Sequence, residues 1–200
     1  MVQEETVAQP KVFDQQGQER DWAWLAAHFG AVQVQQAQVT EGQVYRLVRL
    51  QDAEGPAVQV VHVENRAGQP LAGVRVVRSW PGAPPLPDWP PPASRWRPQG
   101  VFGQTNANGD IGYGLGHGDY YFAPNGGAGA VWVADAAGPS DLITGLGMLG
   151  GTEHRHLNLY YRLEEVKPSE PPPVDLPDER WRKIFEKLDQ IISLLEEKVG

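Results

Sequence analysis

The stretch VVHVENRAGQPLAGVRVVRSW, residues 60–80, decides how this chain folds. Val61 and Val63 alternate with His62 and Glu64. Period two in hydrophobicity is the signature of a strand with one face buried. Gly68, Pro70 and Gly73 then interrupt the pattern, and these are turn residues. VRVVRSW, residues 74–80, resumes as a second Val-rich strand. The stretch therefore reads as strand, turn, strand.

The same punctuation continues on both sides. QVYRLVRLQ (43–51) and PAVQVVHVEN (56–65) read as strands on the N-terminal side. DIGYGLG (110–116), GDYYFAP (118–124), GAVWVAD (129–135) and HLNLYYRL (156–163) read as strands on the C-terminal side. About seven or eight short strands separated by turn signals predict a mainly β protein, an antiparallel β-sandwich. In RDWAWLAAHFG (20–30), Trp22, Leu25, Ala26 and Phe29 recur on one helical face. Asp21 is placed to cap that helix and Gly30 to stop it. A helix of about two turns must dock on something larger. His28 lies off its apolar face.

VVHVENRAGQPLAGVRVVRSW resembles the opening of transthyretin-like, carboxypeptidase-regulatory-like domains. In those domains a strand leads into an Asn or acidic residue with Gly, then PLAGV, then a second strand. GQTNANGDIGYGLGHGDYYFAP (103–124) is similar to their second signature, T-x-x-N-G followed by a strand and G-x-Y. The resemblance spans residues 56–134. It implies a β-sandwich that works as a non-catalytic module beside enzymes or on surfaces. Asn108-Gly109 would supply the positive φ of a tight hairpin, and Tyr120 would pack on the sandwich. The long insertion at 81–98 and GLGMLGGTEHRH depart from the pattern.

Composition excludes several functions. A formal charge of -8, with no basic patch, is the wrong sign for nucleic acid. The absence of cysteine rules out disulfides, thiolate metal sites and cysteine nucleophiles. No apolar run is long enough to span a membrane. The polar, acidic start MVQEETVAQPKVFDQQGQ lacks the regions of a secretory signal. The sequence leaves the compartment open and favours an extracellular, cell-surface or virion setting, which suits a multivalent attachment module.

Two segments carry the candidate chemistry. GTEHRHLNLYYRL (151–163) places His154, His156, Asn158, Tyr160 and Arg162 on one strand face. Leu157, Leu159, Tyr161 and Leu163 fall on the other, which should enter the core. The polar row predicts a solvent- or ligand-facing surface. PGAPPLPDWPPPASRWRP (81–98) is too Pro-rich for a central strand, and Trp80, Trp89 and Trp96 punctuate it. Those rings either fold back on the sandwich or, as Trp89 and Trp96, offer a platform for a sugar or a Pro-rich partner.

A histidine metal site is a further alternative. His154 and His156 at i and i+2 could share one ion, with His117 as third ligand and His62, Asp119 or Glu153 in reserve. No zinc signature accompanies them, so no cofactor is expected. Ser140-Asp141 in GPSDLITG has no nucleophile elbow and reads as a turn or helix cap. Asp110, Asp119, Asp135, Asp141 and Glu153 show no pairing suited to glycoside hydrolysis. Gly112, Gly114, Gly116 and Gly118 alternate along one strand. Their bare face invites close approach by a Trp, by the N-terminal helix or by a ligand.

The chain ends in a charged, Pro-rich linker, EEVKPSEPPPVDLP (164–177), and DERWRKIFEKLDQIISLLEEKVG (178–200). Trp181, Leu188 and Leu195 recur every seven residues. Ile184 and Ile191 fill the intervening positions, with Phe185, Ile192 and Val199 alongside. This wide apolar stripe predicts an amphipathic helix that associates with copies of itself, as a trimer, or docks on another protein or its own sandwich. The expected organisation is a flexible arm (1–20), a helix-plus-sandwich domain (21–163), a linker and an oligomerisation helix. The expected function is a non-enzymatic binding or assembly module, glycan-binding or attaching to a surface. A structural spacer and a metal protein centred on His117, His154 and His156 are the alternatives.

Overall fold

The computed structural model describes residues 8–29, 32–53, 58–80, 83–86, 96, 99–114, 129–146, 156–168 and 182–191. The chain divides into two units, Met1–Lys167 and Pro168–Gly200.

The first unit is mainly β. Its described residues form two sheets and one helix. One sheet has the order β2-β1-β4-β11-β5-β8, from Glu19–Arg20, Lys11–Phe13, Gly42–Ala53, His156–Val166, Val58–Asn65 and Asp110–Gly114. The other has the order β3-β10-β9-β6-β7, from Gln33–Gln35, Leu142–Thr144, Ala130–Val133, Arg75–Ser79 and Val101–Gln104. Residues 11–20, expected as part of a flexible arm, instead add β1 and β2 to the first sheet. Glu164–Val166, expected in the linker, continue β11 opposite Val44, Gln43 and Gly42.

The first sheet is mixed, which corrects the antiparallel expectation there, while every pairing in the second is antiparallel. β11 lies antiparallel to β4 but parallel to β5, and β1 is parallel to β4. The reason is connectivity. A hairpin forces antiparallel pairing, whereas a strand that returns from elsewhere has no such constraint. β6, β7, β9 and β10 all belong to the second sheet, so the chain leaves β5's sheet twice before β11 re-enters it.

Three loops share one construction. In Asp14–Gln18, Asn65–Gln69 and Asn106–Asp110 the first side chain's Oδ1 accepts from the N–H groups two and four residues on, at 2.8–3.1 Å. The glycine in fourth place has φ of +75° to +77° and donates its N–H to the first residue's carbonyl. Asx side chains and a left-handed glycine are what such turns demand. Asn106–Gly109 does not close the expected hairpin, however. β7 pairs with β6 and β8 pairs with β5, so the turn carries the chain from one sheet to the other.

Both sheets feed a common apolar cluster. Leu50, Val61, Val63, Leu157, Leu159 and Tyr161 enter it from the first sheet. Val76, Val131, Val133 and Ile143 enter it from the second. α1 (Trp22–Phe29) starts where the Trp24 N–H donates to Asp21 Oδ1 at 2.7 Å, and it buries Leu25 and Phe29 in the same cluster. Ala26 is exposed, so the buried face is narrower than the sequence suggested. A second cluster, Val77, Ala130, Trp132, Ala134 and Leu142, is packed by Leu86 and Trp96. α1 and Trp96 pack on these clusters and Gly112 is exposed, while Gly116, Gly118 and Trp89 lie outside the described residues.

The two sheets are stitched at a corner by Pro139–Asp141. Tyr45 N–H donates to the Pro139 carbonyl and Asp141 N–H to the Tyr45 carbonyl, at 2.8 and 3.0 Å. Gly138 lies so close to β4 that a Cβ there would sit 2.1 Å from the Gln43 carbonyl oxygen.

The second unit is described over residues 182–191, a helix (α2).

Candidate binding surface

Alternation along β11 sorts its side chains as the sequence predicts. Leu157, Leu159 and Tyr161 are buried, while Asn158, Tyr160 and Arg162 lie half-exposed between them. A register shift between Tyr160 and Tyr161 interrupts pairing with β4 without spoiling this division, because Val48 is the unmatched residue on the partner strand.

Tyr160 is the centre of a row that crosses the sheet. His62 on β5 pairs with it in register and stacks on its ring, with centroids 4.4 Å apart and planes at 12°. On its other side the Arg49 guanidinium sits 4.8 Å from the Tyr160 ring and 4.7 Å from Phe13. At the far end, Asp110 Oδ1 lies 2.5 Å from His62 Nδ1. Phe13, Arg49, Tyr160, His62 and Asp110 thus link five strands. A cation between two ring faces is held by the rings' quadrupoles and by dispersion. Beside this row Arg162 Nε donates to Glu64 Oε1 at 2.7 Å.

The sequence indicated Tyr160, Arg162 and Asn158 but missed Arg49 and Phe13, and it considered Asp110 only as a carboxylate for hydrolysis. His62 was visible as an outward residue between Val61 and Val63. Its partners were not, because Asp110 lies 48 residues away. His62, considered as a reserve metal ligand, instead engages Asp110 and Tyr160. Among the described residues no group of three or more His, Cys, Asp or Glu is placed to hold a metal ion. Trp89, His117 and His154 lie outside the described residues, as does the His156 side chain; the His156 backbone opens β11 opposite Ala53. Trp96 is half-buried against the second cluster and its indole N–H donates to the Ser140 carbonyl at 3.2 Å. It therefore covers the sheet.

The Ser140-Asp141 pair belongs to the corner. Ser140 Oγ accepts from Val133 N–H and donates to the Asp141 carbonyl, both at 2.9 Å, and is buried. The expected turn or helix cap is replaced by this bridge and by β10 beginning at Leu142. Asp141 takes Ala37 N–H and Arg46 Nη1 on Oδ1 at 2.9 Å, and Leu47 N–H on Oδ2 at 3.0 Å. Asp135 accepts from Tyr45 at 3.2 Å. Burial, helped by the Asp135 charge, pushes the Tyr45 phenol far above its usual range. Burial and the Asp141 charge do the same to Tyr161, whose hydroxyl donates to the Val131 carbonyl.

In the tail, Ile184, Phe185, Leu188 and Ile191 are 44–53% exposed. Trp181, Ile192 and Leu195 lie outside the described residues. No helix among the described residues is long and apolar enough to cross a membrane. No family model, curated protein or solved structure matches the chain.

Proposed function

We propose that this chain is a non-catalytic binding or assembly module, a β-sandwich multiplied by self-association of its C-terminal helix as a trimer. One observation carries the reading. Ile184, Phe185, Leu188 and Ile191 fall at i, i+1, i+4 and i+7 of α2, and all four are exposed. Burying side chains of this size is worth about 1.5–3 kcal/mol each. Most helical stability comes from packing an amphipathic face, so association of copies would stabilise α2. The sandwich reading is supported by the cluster to which both sheets contribute. The transthyretin-like resemblance is supported by its turn residues alone: Asn65 with Gly68 builds the first turn and Gly109 takes a positive φ in the second, although the capping side chain there is Asn106 and not the signature's Asn108.

Multiplying the domain would raise the avidity of weak sites on each copy, the usual gain from linking modules. The Tyr160 row and Arg162 are candidates for such a site. Light scattering on the full chain and on a chain ending at Lys167 tests the assembly. The expected result is a trimeric mass that falls to the monomer on truncation and with Ile184→Glu/Leu188→Glu. A monomeric full chain overturns the reading.

A further inference from the structure

A cleft of about 690 Å³ opens at the edge of the second sheet, between β3 and the segment preceding β1. β3 pairs with β10 on one side only, so the cleft runs along a sheet edge. Gln9 and Pro10 line it from the segment preceding β1, and Gln33, Gln35, Gln36 and Gln38 from β3 and the residues after it. Trp22 of α1 also lines it. Its indole N–H donates to the Pro10 carbonyl at 3.2 Å, which fixes the ring, and the Gln36 amide reaches the Ala8 carbonyl at 3.4 Å.

The lining chemistry is specific. Among the described residues it carries five glutamines, one indole, Val32 and Val34, and no charged side chain. A carboxamide both donates and accepts hydrogen bonds. That matches hydroxyl groups, which do the same, and offers no counter-charge to an ionic ligand. A tethered aromatic ring beside polar groups can stack on the apolar face of a sugar. The volume lies within the range of small-molecule sites.

An added peptide strand is the competing occupant of a sheet edge. Strand addition draws affinity from a backbone ladder and specificity from side-chain pockets. β3 supplies three residues, too few for a long ladder. The geometry points to a site for a neutral saccharide, formed by Gln9, Gln33, Gln35, Gln38 and Trp22. The inference rests on the binding-module reading and names the ligand class for it.

The test uses the full chain, with heteronuclear spectra that resolve glutamine side-chain amides and indole N–H groups. Maltotriose, cellotriose and chitotriose are titrated in turn, with sialyllactose as an anionic comparison. At least one neutral trisaccharide is expected to shift the Gln33, Gln35 and Trp22 signals saturably. Gln33→Ala/Gln35→Ala should weaken that binding about tenfold through two lost hydrogen bonds. Both residues are exposed, so the unfolding midpoint should barely move. The inference is overturned if no neutral saccharide shifts these signals, if the double variant binds as well as the parent, or if sialyllactose alone binds. It is also overturned if a Gln-rich extended peptide shifts them where no sugar does. The oligomeric mass of the same samples is read independently, so failure of tail-driven assembly and failure of the saccharide site are told apart.

Discussion

Arg46 and Asp141 form an ion pair that joins the two sheets, with Nη1 2.9 Å from Oδ1 and side chains only 8% and 2% exposed. The pair is embedded in backbone. Asp141 also receives the N–H groups of Ala37 and Leu47, and Arg46 Nη1 reaches the Ala37 carbonyl at 2.8 Å. Each charge therefore keeps hydrogen-bond partners away from water, the condition under which a buried pair holds.

Removing one partner should be costly. Arg46→Met leaves the carboxylate buried without its counter-charge, and Asp141→Ala also orphans two backbone donors. Each is expected to lower stability by about 3–5 kcal/mol. Urea unfolding with an unchanged slope would measure it, and a loss below about 1 kcal/mol would contradict the corner's role.

Tyr45 and Tyr161 should keep their protons beyond the ordinary phenol value of 10.0 in the folded chain. The unfolded chain releases those protons above that pH. Unfolding is then accompanied by proton release, and stability falls as pH rises past about 10. Alkaline difference absorbance should show two tyrosines that ionise only with unfolding. Tyr161→Phe should abolish one of them and cost about 1 kcal/mol for its lost hydrogen bond.

Asp14 should titrate below its ordinary 3.8. Burial works to raise it, but N–H groups from Gln18 and Gln16 and the Arg20 guanidinium together prevail. A depressed carboxyl contributes fully above the unfolded value and loses that contribution as pH falls through the folded one. Asp14→Asn should preserve the turn, because Asn65 and Asn106 build the same loop, yet remove this acid dependence. Asp14→Ala should lose both. Acid titration of the three chains by NMR checks the order.

Glycine substitutions separate backbone strain from close approach. At Gly73 φ is +75° and an added methyl would meet nothing within 4 Å, so Gly73→Ala should cost about 1 kcal/mol from conformation alone. At Gly109 the same φ coincides with a Cβ position 2.5 Å from the Val63 carbonyl oxygen. Gly109→Ala should cost clearly more. Gly138→Ala meets the Gln43 carbonyl and should loosen the corner. Thermal melts of the three variants rank them.

The sequence by itself determined local geometry and facing. Alternation in HLNLYYRL placed Leu157, Leu159 and Tyr161 inward and Asn158, Tyr160 and Arg162 outward, because side chains on a strand point alternately to its two faces. Asp21 announced the start of α1, and Gly68 and Gly73 the turns after β5, because each acts through local backbone geometry. β1, β3 and β10, with three residues each, were too short for a period of two to register. Tertiary structure alone decided who neighbours whom. Nothing local says that β11 lies between β4 and β5, that Tyr160 meets both Arg49 and His62, or that the Asn106–Gly109 turn crosses between sheets. Alternation encodes a face but not a partner. Partners are chosen by gathering apolar residues of both sheets into one cluster, and the Arg46–Asp141 corner is satisfied only once that choice is made.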